Sequence, residues 1–182
     1  IKMVDAELPY GNIVALNDHG AVLHYQAHEQ NAPAEVRSFL IDAGATVHGY
    51  ACDITRTYAT EAGEFAELIS VMDTMQNDLC AAVVADLDYR DLHLRAHLEI
   101  ARILQDFNII HESAEDAVES GLSAVFYPHG LGHFLGLQTH DVAGLIADAD
   151  GTPIPRPEGH PFLRLTRTLE PGNVLTIEPG LY

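Results

Sequence analysis

Apolar residues recur at helical spacing in two long stretches of the chain. Over Glu64–Val84 and Arg90–Phe107 they return every three or four positions, and this period predicts two amphipathic helices. The acidic segment Asp86–Asp88 interrupts the pattern and is predicted to separate them. A short third helix is predicted over Ser113–Ser120, because a serine can cap its first turn and Gly121 follows its end.

Shorter apolar segments predict strands that are joined by turns. Asn12–Leu16 and Ala21–Tyr25 flank the turn-forming residues Asn17–Gly20 and are predicted to form one hairpin. Ser38–Tyr58 has β-branched and aromatic residues on both sides of His48–Gly49, which predicts a second hairpin.

The last third of the chain is divided into short apolar segments by glycine and proline. Asp148–Pro161 holds four prolines and two glycines and is predicted to be a loop. Asn173–Ile177 is predicted to be a strand that ends at Glu178. Helices and strands in this mixed order predict an α+β fold.

The net charge of the chain argues against some classes of binding partner. The 182 residues include 27 Asp and Glu against 9 Lys and Arg, a net charge of −18 at pH 7. Such a field repels phosphate backbones and anionic lipid, which argues against binding to nucleic acid or to a membrane surface. No apolar run approaches the roughly 20 residues that a membrane-spanning helix needs. Two cysteines, Cys52 and Cys80, cannot build a disulfide framework, so we expect a cytoplasmic location.

Two aspartates, Asp42 and Asp53, lie within the apolar strands of the second hairpin. A carboxylate is costly to bury there unless it is paired, hydrogen-bonded or bound to a metal. A turn at Val47–His48 would place the two aspartates opposite each other, and a turn at His48–Gly49 would make them diagonal neighbours on the same face. Two bare carboxylates so close repel, so a proton or a cation must lie between them. The alternative is that each aspartate is paired with an arginine, Arg37 or Arg56.

Three histidines, His129, His133 and His140, lie in the glycine-rich segment Pro128–Asp141. Histidine is a common metal ligand and a proton shuttle near neutral pH. Three glycines within seven residues predict irregular backbone that passes close to another part of the molecule. There is no His-Glu-x-x-His motif, so the zincin mechanism is not indicated. The alternative is that the histidines are ordinary polar residues of a loop.

Glu178 places a third acid at the end of an apolar segment. On its own this signal is weak, because Glu170–Gly172 repeats the same turn chemistry eight residues earlier. Together with Asp42, Asp53 and one imidazole it forms an oxygen-rich ligand set, which favours harder divalent ions such as Mn²⁺. Carboxylates that can bridge also suit a two-metal site. Cys52 neighbours Asp53 on the strand and is therefore predicted to point to the opposite face.

These motifs resemble a known family, the pita-bread metallopeptidases. The order Asp42, Asp53, His133, Glu178 matches four of the five metal ligands of that family. Further similarity, to the bacterial Xaa-Pro dipeptidases and nearest to their organophosphorus acid anhydrolase subgroup, lies in Pro9–Asn17, Arg37–Gly44 and Pro128–Asp141. The resemblance covers nearly all of the chain and implies a mixed curved sheet with flanking helices.

The resemblance implies a dinuclear centre, usually of Mn²⁺, with a bridging water or hydroxide. Asp42 and Asp53 would hold one ion, with Asp53 bridging, and His133 and Glu178 would hold the other. Glu178 would also carry protons.

The resemblance assigns substrate contacts as well. His24 and His140 match histidines that position the substrate carbonyl and stabilise developing charge, and His129 matches a supporting pocket histidine. Tyr10 and Tyr89 match positions that line the substrate pocket.

The implied activity is hydrolysis of Xaa-Pro dipeptides, with proline at the C-terminal position, by attack of a metal-bridging hydroxide. The subgroup resemblance adds hydrolysis of organophosphorus triesters or fluorides. One alternative is a degenerate pita-bread module that binds a partner protein without catalysis. Another is metal-free C–N hydrolysis of the creatinase type, against which the two aspartates weigh.

Two parts of the family pattern have no counterpart in residues 1–182. They are the fifth ligand, a glutamate on a late strand that also carries an arginine, and the smaller N-terminal domain. We therefore expect residues 1–182 to be a catalytic pita-bread domain that is truncated at both ends, and the full-length protein to be a homodimer.

Overall fold

The computed structural model describes residues 8–27 and 29–182. In this part of the chain, five strands and a 3₁₀ helix are followed by four α-helices. In chain order the elements are β1 (Ile13–Leu16), the 3₁₀ helix (Asn17–Ala21), β2 (Ser38–Ala43), β3 (Thr46–Val47), β4 (Tyr50–Ala51), β5 (Ile54–Ala59), α1 (Glu64–Ala81), α2 (Tyr89–Asp106), α3 (Ala114–Glu119) and α4 (Leu122–Phe126).

The predicted hairpin over Ser38–Tyr58 forms the centre of the strand region. β1, β2 and β5 make an antiparallel sheet in the order β1-β2-β5, and β3 pairs with β4 at the tip. The turn lies at His48 and Gly49, which both have positive φ, 53° and 87°. This is the later of the two predicted turns, and it pairs Asp42 with Thr55.

The predicted hairpin between Asn12–Leu16 and Ala21–Tyr25 is wrong. The first segment forms β1, but β1 pairs with β2, and the 3₁₀ helix replaces the expected turn. Asn17 explains the difference. Its side-chain oxygen accepts a 2.7 Å hydrogen bond from the backbone of Arg37, and its amide donates a 2.8 Å bond to the Glu35 carbonyl. The side chain of Asn17 therefore holds the backbone of residues 35–37 in place, directly before β2 begins.

The three predicted helices are confirmed, with small changes in their bounds. Asp88 ends the acidic break and caps α2 by accepting a hydrogen bond from the backbone of Arg90. Ser113 caps α3 in the predicted way, and Gly121 follows it with a φ of 79°. The sequence pattern did not predict α4, which begins directly after this glycine.

The hydrophobic core is built around α2, where Tyr89, Ala96 and Ile100 are fully buried. Leu79 of α1 packs into the same core, as do leucines from the irregular segments after α4, namely Leu131, Leu163 and Leu165. Apolar burial therefore anchors backbone that has no regular secondary structure. None of the helices in the described ranges is both long enough and apolar enough to cross a membrane.

Candidate metal centre

Asp42 and Asp53 lie together, as their positions in the hairpin predicted. The Tyr10 hydroxyl is 2.6 Å from Oδ1 of Asp42 and 2.7 Å from Oδ1 of Asp53. A phenol has one proton and donates to one oxygen at a time. The phenol oxygen can accept the second short contact only from a protonated carboxyl group, and a proton between the two aspartates is one of the two arrangements that their proximity predicts.

The arginines that might have paired with these aspartates have other contacts. Arg37 lies 3.3 Å from a carboxylate oxygen of Asp18, and Arg56 donates a 2.6 Å hydrogen bond to the Thr55 carbonyl. The structure therefore does not support the reading of Asp42 and Asp53 as an ordinary ion-paired hairpin.

A second pair of segments brings His133 beside Glu178. Residues 131–135 run antiparallel to residues 174–178. Three backbone hydrogen bonds join them, from Leu135 to Val174 (3.0 Å), from Thr176 to His133 (3.0 Å) and from Glu178 to Leu131 (2.8 Å). The predicted strand over Asn173–Ile177 is thus extended, but it contributes an isolated bridge to Phe134 instead of a regular strand.

Thr176 accounts for this irregular pairing. Its carbonyl accepts a 2.9 Å hydrogen bond from the Tyr89 hydroxyl, and its Oγ1 accepts the backbone N–H of His133 at 3.0 Å. The side chain therefore takes the place that a strand carbonyl would fill. Thr176 Oγ1 also donates a 2.9 Å hydrogen bond to Oε1 of Glu178. This residue was not predicted from the sequence, because a single threonine in an apolar segment carries no signal.

The glycines of Pro128–Asp141 make the close approaches that were predicted. A Cβ on Gly132 would overlap the Thr176 carbonyl oxygen and lie 2.6 Å from the Tyr89 hydroxyl. A Cβ on Gly130 would lie 2.7 Å from Cα of Leu163. A larger residue at either position would push the histidine segment away from its neighbours.

The two pairs of segments meet at His133. Its Nε2 lies 3.4 Å from Oδ2 of Asp53 and 3.2 Å from Oε1 of Glu178. Its Nδ1 lies 2.9 Å from the Phe134 carbonyl oxygen, which can only accept, so the neutral ring carries its proton on Nδ1. In this neutral form, which is the one that binds a metal, Nε2 has a lone pair beside the two carboxylates, and among the described residues it has no partner with hydrogen-bond geometry.

The pKa values of the residues at this centre are shifted by the carboxylates that surround the His133 imidazole. Burial lowers the pKa of His133, but the nearby carboxylates of Asp53 and Glu178 outweigh burial and raise it to about 9. Burial raises the pKa of Asp42, and the charges of Asp53 and Glu178 add to the rise. Burial also acts to raise the pKa of Asp53, but the contacts with His133 and Tyr10 leave it below its usual value. A positive charge beside the carboxylates of Asp42, Asp53 and Glu178 is therefore favourable.

This donor set fits a divalent metal. Oδ1 of Asp53 faces Tyr10 and Oδ2 faces His133, so the two oxygens of one carboxylate are directed at two neighbouring positions. The Phe134 carbonyl holds His133 in the way that outer-shell acceptors orient metal-bound histidines. Three carboxylates and one imidazole suit harder divalent ions.

The other three predicted histidines line a groove beside this centre, together with Tyr182, which was not predicted from the sequence. The His140 ring packs edge-on against His133 with 4.3 Å between ring centroids, and the side chain is exposed. His24 is also exposed and has a φ of 55°. His129 packs edge-on against Tyr182 at 5.3 Å.

The two tyrosines that were expected to line the pocket lie in different places. Tyr10 contacts the aspartates directly. Tyr89 is 0% exposed, and its hydroxyl is bonded to Thr176. The structure therefore corrects the expectation for Tyr89, which packs in the core behind residues 174–178 and does not reach the groove.

Comparison with known proteins identifies the family. Residues 2–182 match the family described as metallopeptidase family M24. The chain belongs to this family. Two curated relatives of this M24 chain are the Xaa-Pro dipeptidases of Stenotrophomonas maltophilia (strain K279a), 59% identical, and of Xanthomonas campestris pv. campestris (strain 8004), 61% identical. Each match extends over 177 residues, which is 97% of the chain and 40% of the relative, so the chain spans less than half the length of these relatives.

Solved structures place the M24 chain in the predicted fold. Zinc-substituted Escherichia coli aminopeptidase P in complex with product has a TM-score of 0.78 at 28% identity. Pseudomonas aeruginosa aminopeptidase PepP has a TM-score of 0.77 at 26% identity. Both matches cover 97% of this chain and 37% of the other. The predicted pita-bread fold of the α+β class is thereby confirmed.

Proposed function

We propose that this M24 chain carries the catalytic centre of a metal-dependent dipeptidase that hydrolyses Xaa-Pro dipeptides with proline at the C-terminal position. The observation that carries the proposal is the convergence of Asp53 and Glu178 on Nε2 of His133, within 3.4 Å. The named activity of the relatives at 59% and 61% identity supports the choice of substrate.

The proposed cofactor is a pair of divalent ions, with Mn²⁺ as the proposed species. Asp42 and Asp53 would hold one ion, and His133 and Glu178 the other, with Asp53 as the bridge. The two directions in which the Asp53 oxygens point support its bridging role. When bound, such ions lower the pKa of a water, so that a nucleophile is available at neutral pH, and they polarise the scissile carbonyl.

Glu178 is the proposed proton carrier. Its Oε1 is held by Thr176 and lies beside His133, which leaves Oε2 as the atom that takes a proton from the attacking water and returns it to the leaving proline nitrogen. The side chain is 38% exposed, so it has access to the groove.

Histidines on the groove are proposed to handle the substrate carbonyl. His140 and His24 would donate hydrogen bonds to the carbonyl oxygen as negative charge develops on it. The exposed position of His140 beside His133 supports this role. His129, on the same groove, would support the pocket wall, and Tyr10 would hold the two aspartates at the edge of the substrate site.

We also propose a cellular location, an oligomeric state and a class of binding partner for the enzyme. Residues 1–182 would form the catalytic domain of a cytoplasmic homodimer that acts on small dipeptides and binds neither nucleic acid nor membrane. The net charge of −18 and the free thiols of Cys52 and Cys80 support this setting. A non-catalytic binding module is less well supported, because all four matching ligands are present and converge.

Metal removal tests the proposal. The purified protein is treated with a chelator, and proline release from an Xaa-Pro dipeptide is measured before and after Mn²⁺ is restored. We expect the activity to disappear and then return with about two ions bound per chain. Full activity after exhaustive chelation would refute the metal-dependent mechanism.

A matched pair of variants tests the site itself. Asp53→Asn replaces a carboxylate at the centre with a neutral amide, whereas Asp18→Asn makes the same change at a solvent-exposed carboxylate that contacts Arg37. We expect Asp53→Asn to lose at least about 100-fold in activity, since even outer-shell changes cost 10–100-fold. Equal turnover of the two variants would contradict the ligand role of Asp53.

A further inference from the structure

A second cluster of metal-binding side chains lies outside the groove. His93 and His97 are one turn apart on α2, and His160 reaches them from the loop before Pro161. The three ring centroids lie 4.5 to 4.7 Å from one another, and one ring nitrogen of each residue is within 4.8 Å of one from both others. They line a separate cavity of about 150 Å³.

The two helix histidines are kept in the form that binds metals. His93 and His97 are each 1% exposed. Burial, together with the neighbouring histidines, lowers the pKa of His93 to about 2 and that of His97 to about 3. Both rings are therefore neutral at pH 7, and a neutral imidazole has a lone pair that it can offer to a cation.

Two of their nitrogens have no hydrogen-bond partner. Nδ1 of His93 and Nε2 of His97 are buried and unpaired within residues 8–27 and 29–182. The other nitrogen of His97 lies 3.0 Å from the hydroxyl of Ser123, which is itself buried. His97, held through Nδ1 by Ser123 and with Nε2 unpaired, has the arrangement of a metal-bound histidine with an outer-shell partner.

The spacing is close to that of a coordination shell. Nε2 of His93 and Nδ1 of His160 form a hydrogen bond of 3.0 Å, and an ion that binds both rings would displace its proton. Two nitrogens bound at roughly 2.0–2.1 Å to a tetrahedral Zn²⁺ are separated by about 3.3 Å. A ring nitrogen of His97 lies within 4.8 Å of a nitrogen of each of the other two rings, so a small adjustment of the three side chains would bring them to one ion.

We propose that His93, His97 and His160 form a second metal site, which takes one ion of the Zn²⁺ class. The cavity wall holds these three imidazoles and that of His129 but no acidic residue, which favours zinc and its late first-row neighbours over Mn²⁺, whereas the aspartate-rich centre has the opposite preference. The cavity has room for a water or a small anion as the fourth ligand.

An ion at this site would fix one wall of the groove. It would tie the loop that carries His160 to α2, and the next two residues, Pro161 and Phe162, line both the histidine cavity and the groove. The site itself does not depend on the proposed dipeptidase activity.

Zinc binding to variants of the purified protein tests this proposal. The acid centre is first disabled by the double change Asp42→Asn and Asp53→Asn, and zinc affinity is measured by competition with a chromophoric chelator. We expect one tight zinc per chain to remain and to show three nitrogen ligands by X-ray absorption. His160→Asn, in the partly exposed loop, should weaken this binding by more than about 100-fold.

The matched control is His111→Asn, which alters an exposed histidine that belongs to neither cluster. It should leave the zinc affinity unchanged. Equal affinity of the His160→Asn and His111→Asn proteins, or oxygen ligands alone around the bound zinc, would overturn the proposal. If the double variant does not fold, the same pair is compared in the native background, where the expected difference is one zinc per chain.

Discussion

The hydroxyl of Thr176 donates a 2.9 Å hydrogen bond to Oε1 of Glu178. The same hydroxyl accepts the backbone N–H of His133, so one side chain orients both residues of the proposed second ion. Thr176 touches neither the substrate nor the reacting atoms in this arrangement and is therefore a positioning residue.

Thr176→Val removes this link and keeps the shape of the side chain. We expect metal affinity to fall by about 10–100-fold, because outer-shell partners of metal ligands contribute to that extent. Thr176→Ser retains the hydroxyl and should restore affinity to within a few-fold of the native protein. Metal titration of the two variants checks the prediction, and identical affinities would contradict it.

His133 predicts a specific pH dependence of stability in the metal-free protein. Its pKa is raised to about 9 in the folded state, above the ordinary value of 6.5. Between these values the folded protein holds a proton that the unfolded chain has released, so stability falls as pH rises through this window. The contribution is about 3 kcal/mol below pH 6.5 and is lost above pH 9.

Denaturant unfolding at pH 6 and pH 9.5 in the presence of a chelator measures this effect. His133→Gln should abolish most of the difference between the two pH values. The exposed His111→Gln should leave the difference unchanged. If both variants lost stability with pH as the native protein does, His133 would not be the titrating group.

The variant Tyr10→Phe tests whether Tyr10 acts by holding the metal ligands or by contacting the substrate. Because its hydroxyl contacts both aspartates, we expect the variant to lose about 10–100-fold in metal affinity, with KM for the dipeptide unchanged once metal is saturating. A tyrosine that acts through the substrate would raise KM and leave metal affinity as it was. Tyr58→Phe, at a 53% exposed position, is the matched control.

Gly132→Ala tests the close approach of the histidine segment to residues 174–178. The added methyl group would overlap the Thr176 carbonyl, which is backbone and has little freedom to move. We expect the free energy of unfolding to fall by about 1–3 kcal/mol. At Gly20, where the nearest atom is 3.8 Å from an added Cβ, the change to alanine should have a much smaller effect in the same denaturation experiment.

The sequence predicted well those parts of the site that depend on local pattern. The positions of Asp42 and Asp53 in one hairpin were enough to place both carboxylates on one face, whichever turn formed. The spacing of glycines near His133 was enough to predict an irregular backbone in close contact with another segment. In both cases, residues that are near in sequence carry the information.

Features that depend on distant residues were missed. Asn17 was predicted to be part of a turn, but its side chain bonds to Glu35 and Arg37, and β1 pairs with β2 instead of with Ala21–Tyr25. Tyr89 was assigned to the pocket by resemblance, although it is buried in the core. The third histidine of the cluster on α2, His160, lies in a loop more than 60 positions further along the chain, so helical spacing did not predict its contact with His93.

The 3.4 Å contact between Asp53 and His133 joins segments that are separated by about 80 residues of chain, which include α1 to α4. Closing so long a loop has an entropic cost that is recovered only when the intervening elements have packed. We therefore expect the four proposed ligands to come together late in folding. Metal affinity should consequently report the completion of the fold: any substitution that loosens the helical core would appear as weaker metal binding before secondary structure is lost.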